Sequence, residues 1–215
     1  MEQAGWQRWI PLCGVLFVIL FIVGISFAGN SLDSSESDQA YLDWYGDSGH
    51  QTASIAGAYV LALAGVAMLL FMNRLRAVVA QAEGGQQLFA PFILAGGTAF
   101  VVALGIAAAS FVAVPAGVKF GSEPMPSSAD LVRFLPQIGW GVLLVLGMFP
   151  LIFAIFATAM ASMRYGIFPG WYNWLSVICG IVLFFSVFFL PLIALGIWLL
   201  AGSWVLMKQQ SVAAA

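Results

Sequence analysis

The side chains able to do chemistry are few and poorly grouped. Asp43, Asp47 and His50 stand at i, i+4 and i+7, a spacing that would put two carboxylates and an imidazole on one helix face and invite a metal ion. Gly46 and Gly49 interrupt that helix, and two carboxylates with one imidazole make a weak, exposed site, so a solvated acidic loop is expected and no metal. His50 is the only histidine, which excludes a haem held between two. Cys13 and Cys179 both fall in apolar stretches and read as buried thiols outside any disulfide framework. No motif for nucleophilic, phosphate or metal chemistry is present. No catalytic residue, no cofactor and no enzymatic activity is therefore expected.

The elements that would position such residues are apolar to an extreme. Of 215 residues 62% are hydrophobic and 7% charged, against roughly a quarter charged in soluble domains. The net charge is −2 and there is no basic stripe, which excludes a nucleic-acid binder, a disordered chain and a soluble enzyme. Residues 9–32, 51–73, 84–118, 134–163 and 165–207 carry no Asp, Glu, Lys, Arg or His. A run of about 18 such residues suffices to cross a bilayer. The fold class is an all-α, polytopic transmembrane helix bundle forming a single domain over 1–215.

The first four runs predict one span each, near 9–29, 54–73, 90–114 and 136–162. Trp171–Met207 is too long for one crossing, because a helix rises about 1.5 Å per residue and the hydrocarbon core is roughly 30 Å thick. Two spans, 171–189 and 191–207, turning near Phe189-Leu190-Pro191, give six; five spans plus a re-entrant segment is the alternative. With six, Arg8, Arg74, Arg76, Arg164 and Lys208 share a side with Glu2 and Glu83. Lys119 and Arg133 lie opposite among Asp33, Glu36, Asp38, Asp43, Asp47, Glu123 and Asp130. Basic residues favour the cytoplasm, so both termini are expected inside. Ser26-Phe27-Ala28 resembles a cleavage site, but the first apolar stretch exceeds a signal-peptide core and reads as an uncleaved span.

No Asp, Glu, Lys, Arg or His falls inside a predicted span, which argues against proton or ion coupling. In the third span Ala95, Ala99, Ala103 and Ala107 recur every four residues beside Gly97, Gly105, Ala109 and Ala113. Such stripes let helix backbones approach closely in lipid. Phe184, Phe185, Phe188, Phe189 and Trp198 are expected to face lipid or a partner. Pro150 is a candidate hinge in the fourth span. Trp171 and Trp174 suit the headgroup level. In the loop Asn30–His50, with Ser35 or Ser37 as cap, Tyr41, Trp44 and Tyr45 form the face of a short interfacial helix that would lie on lipid or a partner. Ser127 or Ser128 would cap the fourth helix ahead of Asp130.

Three stretches resemble a group of uncharacterised multi-pass membrane proteins frequent in actinobacteria. They are the Trp9 span with Tyr41, His50 and Gly57-Ala58-Tyr59; Asn73-Arg74-Leu75-Arg76 leading to Ala82-Glu83-Gly84-Gly85; and Arg164-Tyr165-Gly166-Ile167-Phe168-Pro169-Gly170-Trp171. The resemblance implies one such domain over most of the chain, in a bacterial plasma membrane, and carries no activity. The function expected from the residues is an accessory or stabilising subunit of a larger membrane complex, with membrane lipids and other subunits, or itself, as partners. The alternative is a transporter or channel for a small uncharged or lipidic solute.

Overall fold

The computed structural model describes residues 5–30, 32, 33 and 35–213; Glu2, named above, lies outside the described residues. All regular structure among the described residues is helical. A 3₁₀ segment, Gly5–Leu12, leads into α1 (Cys13–Ala28), followed by α2 (Asp38–Gly46), α3 (Ser48–Ala82) and α4 (Ala90–Gly121). Next come α5 (Ala129–Gly141), α6 (Met148–Tyr165), α7 (Gly170–Leu183) and α8 (Leu192–Ala213). A π-turn, Val142–Gly147, joins α5 and α6 into one rod. Trp9–Ala28, Ser48–Ala82, Ala90–Gly121, Ala129–Tyr165 and Leu192–Gln209 are each long and apolar enough to cross a membrane. The chain is thus a multi-pass membrane helix bundle.

Close approaches set the order of the rods. Position 24 abuts Leu61 and position 14 abuts Phe71, so α1 and α3 run antiparallel. Gly97 on Met72 and Gly65 on Val101 do the same for α3 and α4, and Gly96 on Pro150 with Gly147 on Ala103 for α4 and α6. Phe156 beside Gly180, and Ser186 bonded to Leu144, reverse direction again between α6 and α7. The pairs Trp171–Trp204 and Ser176–Trp198 reverse it once more between α7 and α8. Six segments alternate in direction, so the start of the first and the end of the last lie at the same face.

The last segment pair departs from two full helical spans. The turn falls at the residues named from the sequence, but α7 is helical for only 14 residues, about 20 Å, and stops at Leu183 rather than continuing to Phe189. Residues 184–191 then run as turns around a short 3₁₀ segment, Ser186–Phe188.

The alanine stripe is corrected as well. Ala103 and Ala107 are buried, but Ala95 is exposed and Ala99 only half-buried, while Gly105, Ala109 and Ala113 face outward. Four residues turn a 3.6-residue helix by more than a full revolution, so a strict four-residue stripe drifts around the rod. The buried face instead runs through Ile93, Gly96, Phe100, Leu104, Ala107 and Phe111. Pro150 is clamped here: a side-chain carbon on Gly96 would overlap the Pro150 carbonyl oxygen, and Gly147 sits against Ala103. A proline ring clashes with the carbonyl four residues earlier, here Leu146, which lies inside the π-turn. The irregularity is thereby placed one turn before the proline and packed against α4, a fixed feature rather than a free hinge.

At the face carrying Arg74, Arg76, Arg164 and Lys208, Glu83 is buried and accepts hydrogen bonds from the Phe89 and Ala90 amides at 2.5 and 3.3 Å. It caps α4 from the preceding turn, which needs positive φ at Gly84 and Gly85. Glu83→Ala is expected to cost about 0.5–2 kcal/mol, the range for a lost helix cap, read as a lower thermal midpoint in detergent, with Glu83→Gln intermediate.

Candidate functional site

The inward residues of α7, Tyr172, Asn173, Ser176, Cys179, Gly180 and Leu183, recur at helical spacing, leaving Trp171 and Trp174 exposed at the basic face. Trp171 and Trp204 rings lie 5.8 Å apart and the Lys208 ammonium sits 4.0 Å over Trp204, an aromatic and cationic belt of the kind found at headgroup level. From this belt α7 climbs to Leu183 and breaks. The buried Ser186 hydroxyl donates to the Leu144 carbonyl of the π-turn at 3.2 Å, tying the two irregular segments together. Phe189 takes φ 62°, a left-handed value costly for a bulky residue, and its ring packs edge-on against Trp140 at 4.9 Å. Trp140 in turn lies against Gly29 at the end of α1, so the turn sits level with the end of that helix.

Four of the five aromatic residues expected on the surface are there. Phe184, Phe185, Phe188 and Phe189 are exposed, Phe188 by 71%, and Leu190 beside them by 74%. Phe184 rests edge-on against Phe149 at 5.6 Å. Trp198 is corrected: it is fully buried, its indole N–H donates to Ser176 Oγ at 2.9 Å, and its ring meets Phe71 edge-on at 5.9 Å. An indole whose donor finds a partner can enter a core. Trp198→Phe is expected to cost about 1 kcal/mol for the lost hydrogen bond plus a cavity penalty. Trp174→Phe, at the exposed belt, should leave the thermal midpoint unchanged.

At the acidic face Tyr41 and Tyr45 are also corrected. Both are buried, packed with Val114 and Val132 over the ends of α4 and α5. The Tyr41 hydroxyl donates to the Leu32 carbonyl at 2.7 Å, and burial, with Tyr41 nearby, pushes the Tyr45 phenol up to about 12. Trp44 is half-buried and stacks on His50 at 4.4 Å. α2 is therefore docked on the bundle. Ser37 caps it by accepting from the Ala40 amide, and Ser128 caps α5 by accepting from Asp130. Asp47 accepts from the His50 amide to cap α3, and that bond chiefly holds its carboxyl below the ordinary carboxylate range. Asp43 instead accepts from the Gln39 side chain. Asp47 and His50 thus engage each other, Oδ1 and Nδ1 lying 3.4 Å apart, while Asp43 is engaged elsewhere, and no group of three His, Cys, Asp or Glu able to hold a metal occurs among the described residues.

A cleft of about 310 Å³ opens between α1 and α8, lined by Phe17, Val18, Phe21, Leu195, Gly196 and Ile197 among others. It begins at Leu192, directly after the exposed turn. Sequence reasoning misses this cleft because it depends on how two distant helices splay.

Fold and surface together define a polytopic all-α membrane protein. No protein-family model, curated protein or solved structure matches the chain.

Proposed function

We propose that the protein is a non-enzymatic accessory or stabilising subunit of a larger complex in the bacterial plasma membrane, with both ends of the chain cytoplasmic. The observation that carries this reading is the turn 184–191. The turn pairs most of its own amides, Phe185 with Val182, Phe188 with Phe185 and Phe189 with Ser186 among them, yet holds Phe189 at φ 62°, a strained value that persists where surrounding structure determines it. Phe185, Val187, Phe188 and Leu190 stand exposed around the turn. A neighbouring membrane protein seated on these side chains buries that apolar surface and fixes the turn. The clustering of Arg74, Arg76, Arg164 and Lys208 at the opposite face supports the orientation. A transporter would use the kink at Pro150 and the small-residue face of α4, and the α4–α6 seam is closed there by Gly96 on Pro150 and Gly147 on Ala103.

A photoreactive benzoylphenylalanine placed at Phe188 in native membranes is the test. The reading expects a cross-link to a different protein from position 188 and none from Val102, which is comparably exposed on α4. Cross-linking to lipid alone, or equally from both positions, would overturn it.

A further inference from the structure

The α1–α8 cleft carries a second inference, independent of the subunit reading. Toward the basic face these helices are in tight contact: a side-chain carbon on Gly14 would overlap Ser203 Oγ and lie 3.1 Å from the Leu199 carbonyl oxygen. Toward the acidic face they splay, and a side-chain carbon on Gly196 would meet only Val18, at 3.9 Å. The back wall is Phe17, buried and stacked on Phe21 at 5.3 Å. Ile22, Ile193 and Ile197 form an exposed rim. We propose that this cleft is a binding site for one acyl chain of a membrane lipid.

Three observations select that occupant. The cleft lies within two segments that cross the membrane, Trp9–Ala28 and Leu192–Gln209, so it opens onto hydrocarbon. Every lining residue is apolar, and a site without polar partners does not hold water. A volume of about 310 Å³ admits a chain on the order of ten methylenes long, taking each as near the roughly 30 Å³ of a liquid water molecule. A helix, about 10 Å across, stays outside on the rim. Phe17 and Phe21 supply flat walls against which a chain gains dispersion contacts that bulk lipid does not offer. The lining contains no group to read a headgroup, so selectivity is for the chain.

The test reconstitutes the full chain into phosphatidylcholine vesicles doped with phosphatidylcholine carrying a diazirine on one acyl chain. After irradiation, labelled residues are mapped by mass spectrometry. The proposal expects label concentrated on residues 17–22 and 192–200, well above the lipid-facing residues Val102, Ile106 and Ala109 of α4, and saturating with probe. Gly196→Leu fills the cleft and lowers its label to the α4 level, whereas Gly196→Ala leaves it. Ile197→Trp, on the exposed rim and so tolerated by the fold, gives the same loss by covering the mouth. Label spread evenly over the lipid-facing surface, or unchanged by both cleft-closing variants, would overturn the proposal.

Discussion

Gly57→Leu is expected to lower the thermal midpoint of the detergent-solubilised protein by on the order of 10 °C, while Gly105→Leu leaves it within about 2 °C. At position 57 a side-chain carbon would stand 2.5 Å from the Ala28 amide nitrogen and 2.9 Å from the Gly24 carbonyl oxygen. Those are backbone atoms, which cannot rotate away, and Gly24 faces Leu61 across the same crossing. The insertion must push α1 off α3, and overpacking of this kind costs about 3 kcal/mol, equivalent to roughly 2–4 °C per kcal/mol for a chain of this length. Gly105 has no atom within 4 Å of the corresponding position. A side chain there projects into lipid and regains the roughly 1 kcal/mol of helix propensity that glycine forgoes. Differential scanning fluorimetry on the two variants checks the pair. Equal losses would mean that α4 is packed on the side carrying Gly105, and the assignment of its lipid-facing side would be wrong.

Arg133→Ala is expected to release α2 from the acidic face while leaving the membrane core folded. The guanidinium lies 4.3 Å over the Tyr41 ring, donates to the Glu36 carbonyl at 2.6 Å and pairs with Asp38 at 3.0 Å. Asp38 is largely exposed, so its ion pair contributes little. The cation–π contact and the charge-assisted bond to a backbone carbonyl dominate, together about 2 kcal/mol. Opening of residues 32–46 should then rise on the order of tenfold or more, since about 1.4 kcal/mol is a factor of ten. Hydrogen exchange measured segment by segment reads this directly. Arg133→Lys keeps the charge but loses the planar stacking, and should fall between. If exchange accelerates throughout α4 and α5 instead, Arg133 supports the bundle and not the cap.

The spans are legible in the sequence because charge is costly in hydrocarbon, and the gaps between charges therefore mark the crossings. The break between α7 and α8 is equally legible, from length arithmetic and Pro191. Trp198 is not. α8 is apolar on all sides from Leu192 to Val205, and in a membrane the core-facing and lipid-facing sides are chemically alike. Its phase is set by Ser176 on α7, which accepts the indole proton. The aromatic face of α2 is readable from Tyr41, Trp44 and Tyr45. What covers that face is not, because Val114 and Val132 arrive from far along the chain. The alanine stripe on α4 misleads for a geometric reason: its register holds at Ala103 and Ala107 and is lost by Ala95, where the true face has moved to Ile93 and Gly96.

The proposed function requires the exposed turn between α7 and α8 to be covered by another membrane protein. Purification of the chain from its native membrane in a mild detergent, followed by native mass spectrometry, tests it most directly. The predicted result is a stoichiometric complex with at least one different protein, lost when Phe185 and Phe188 are replaced together by alanine without a change in the thermal midpoint of the isolated chain. A lone chain, or a homo-oligomer carrying only lipid, would contradict it.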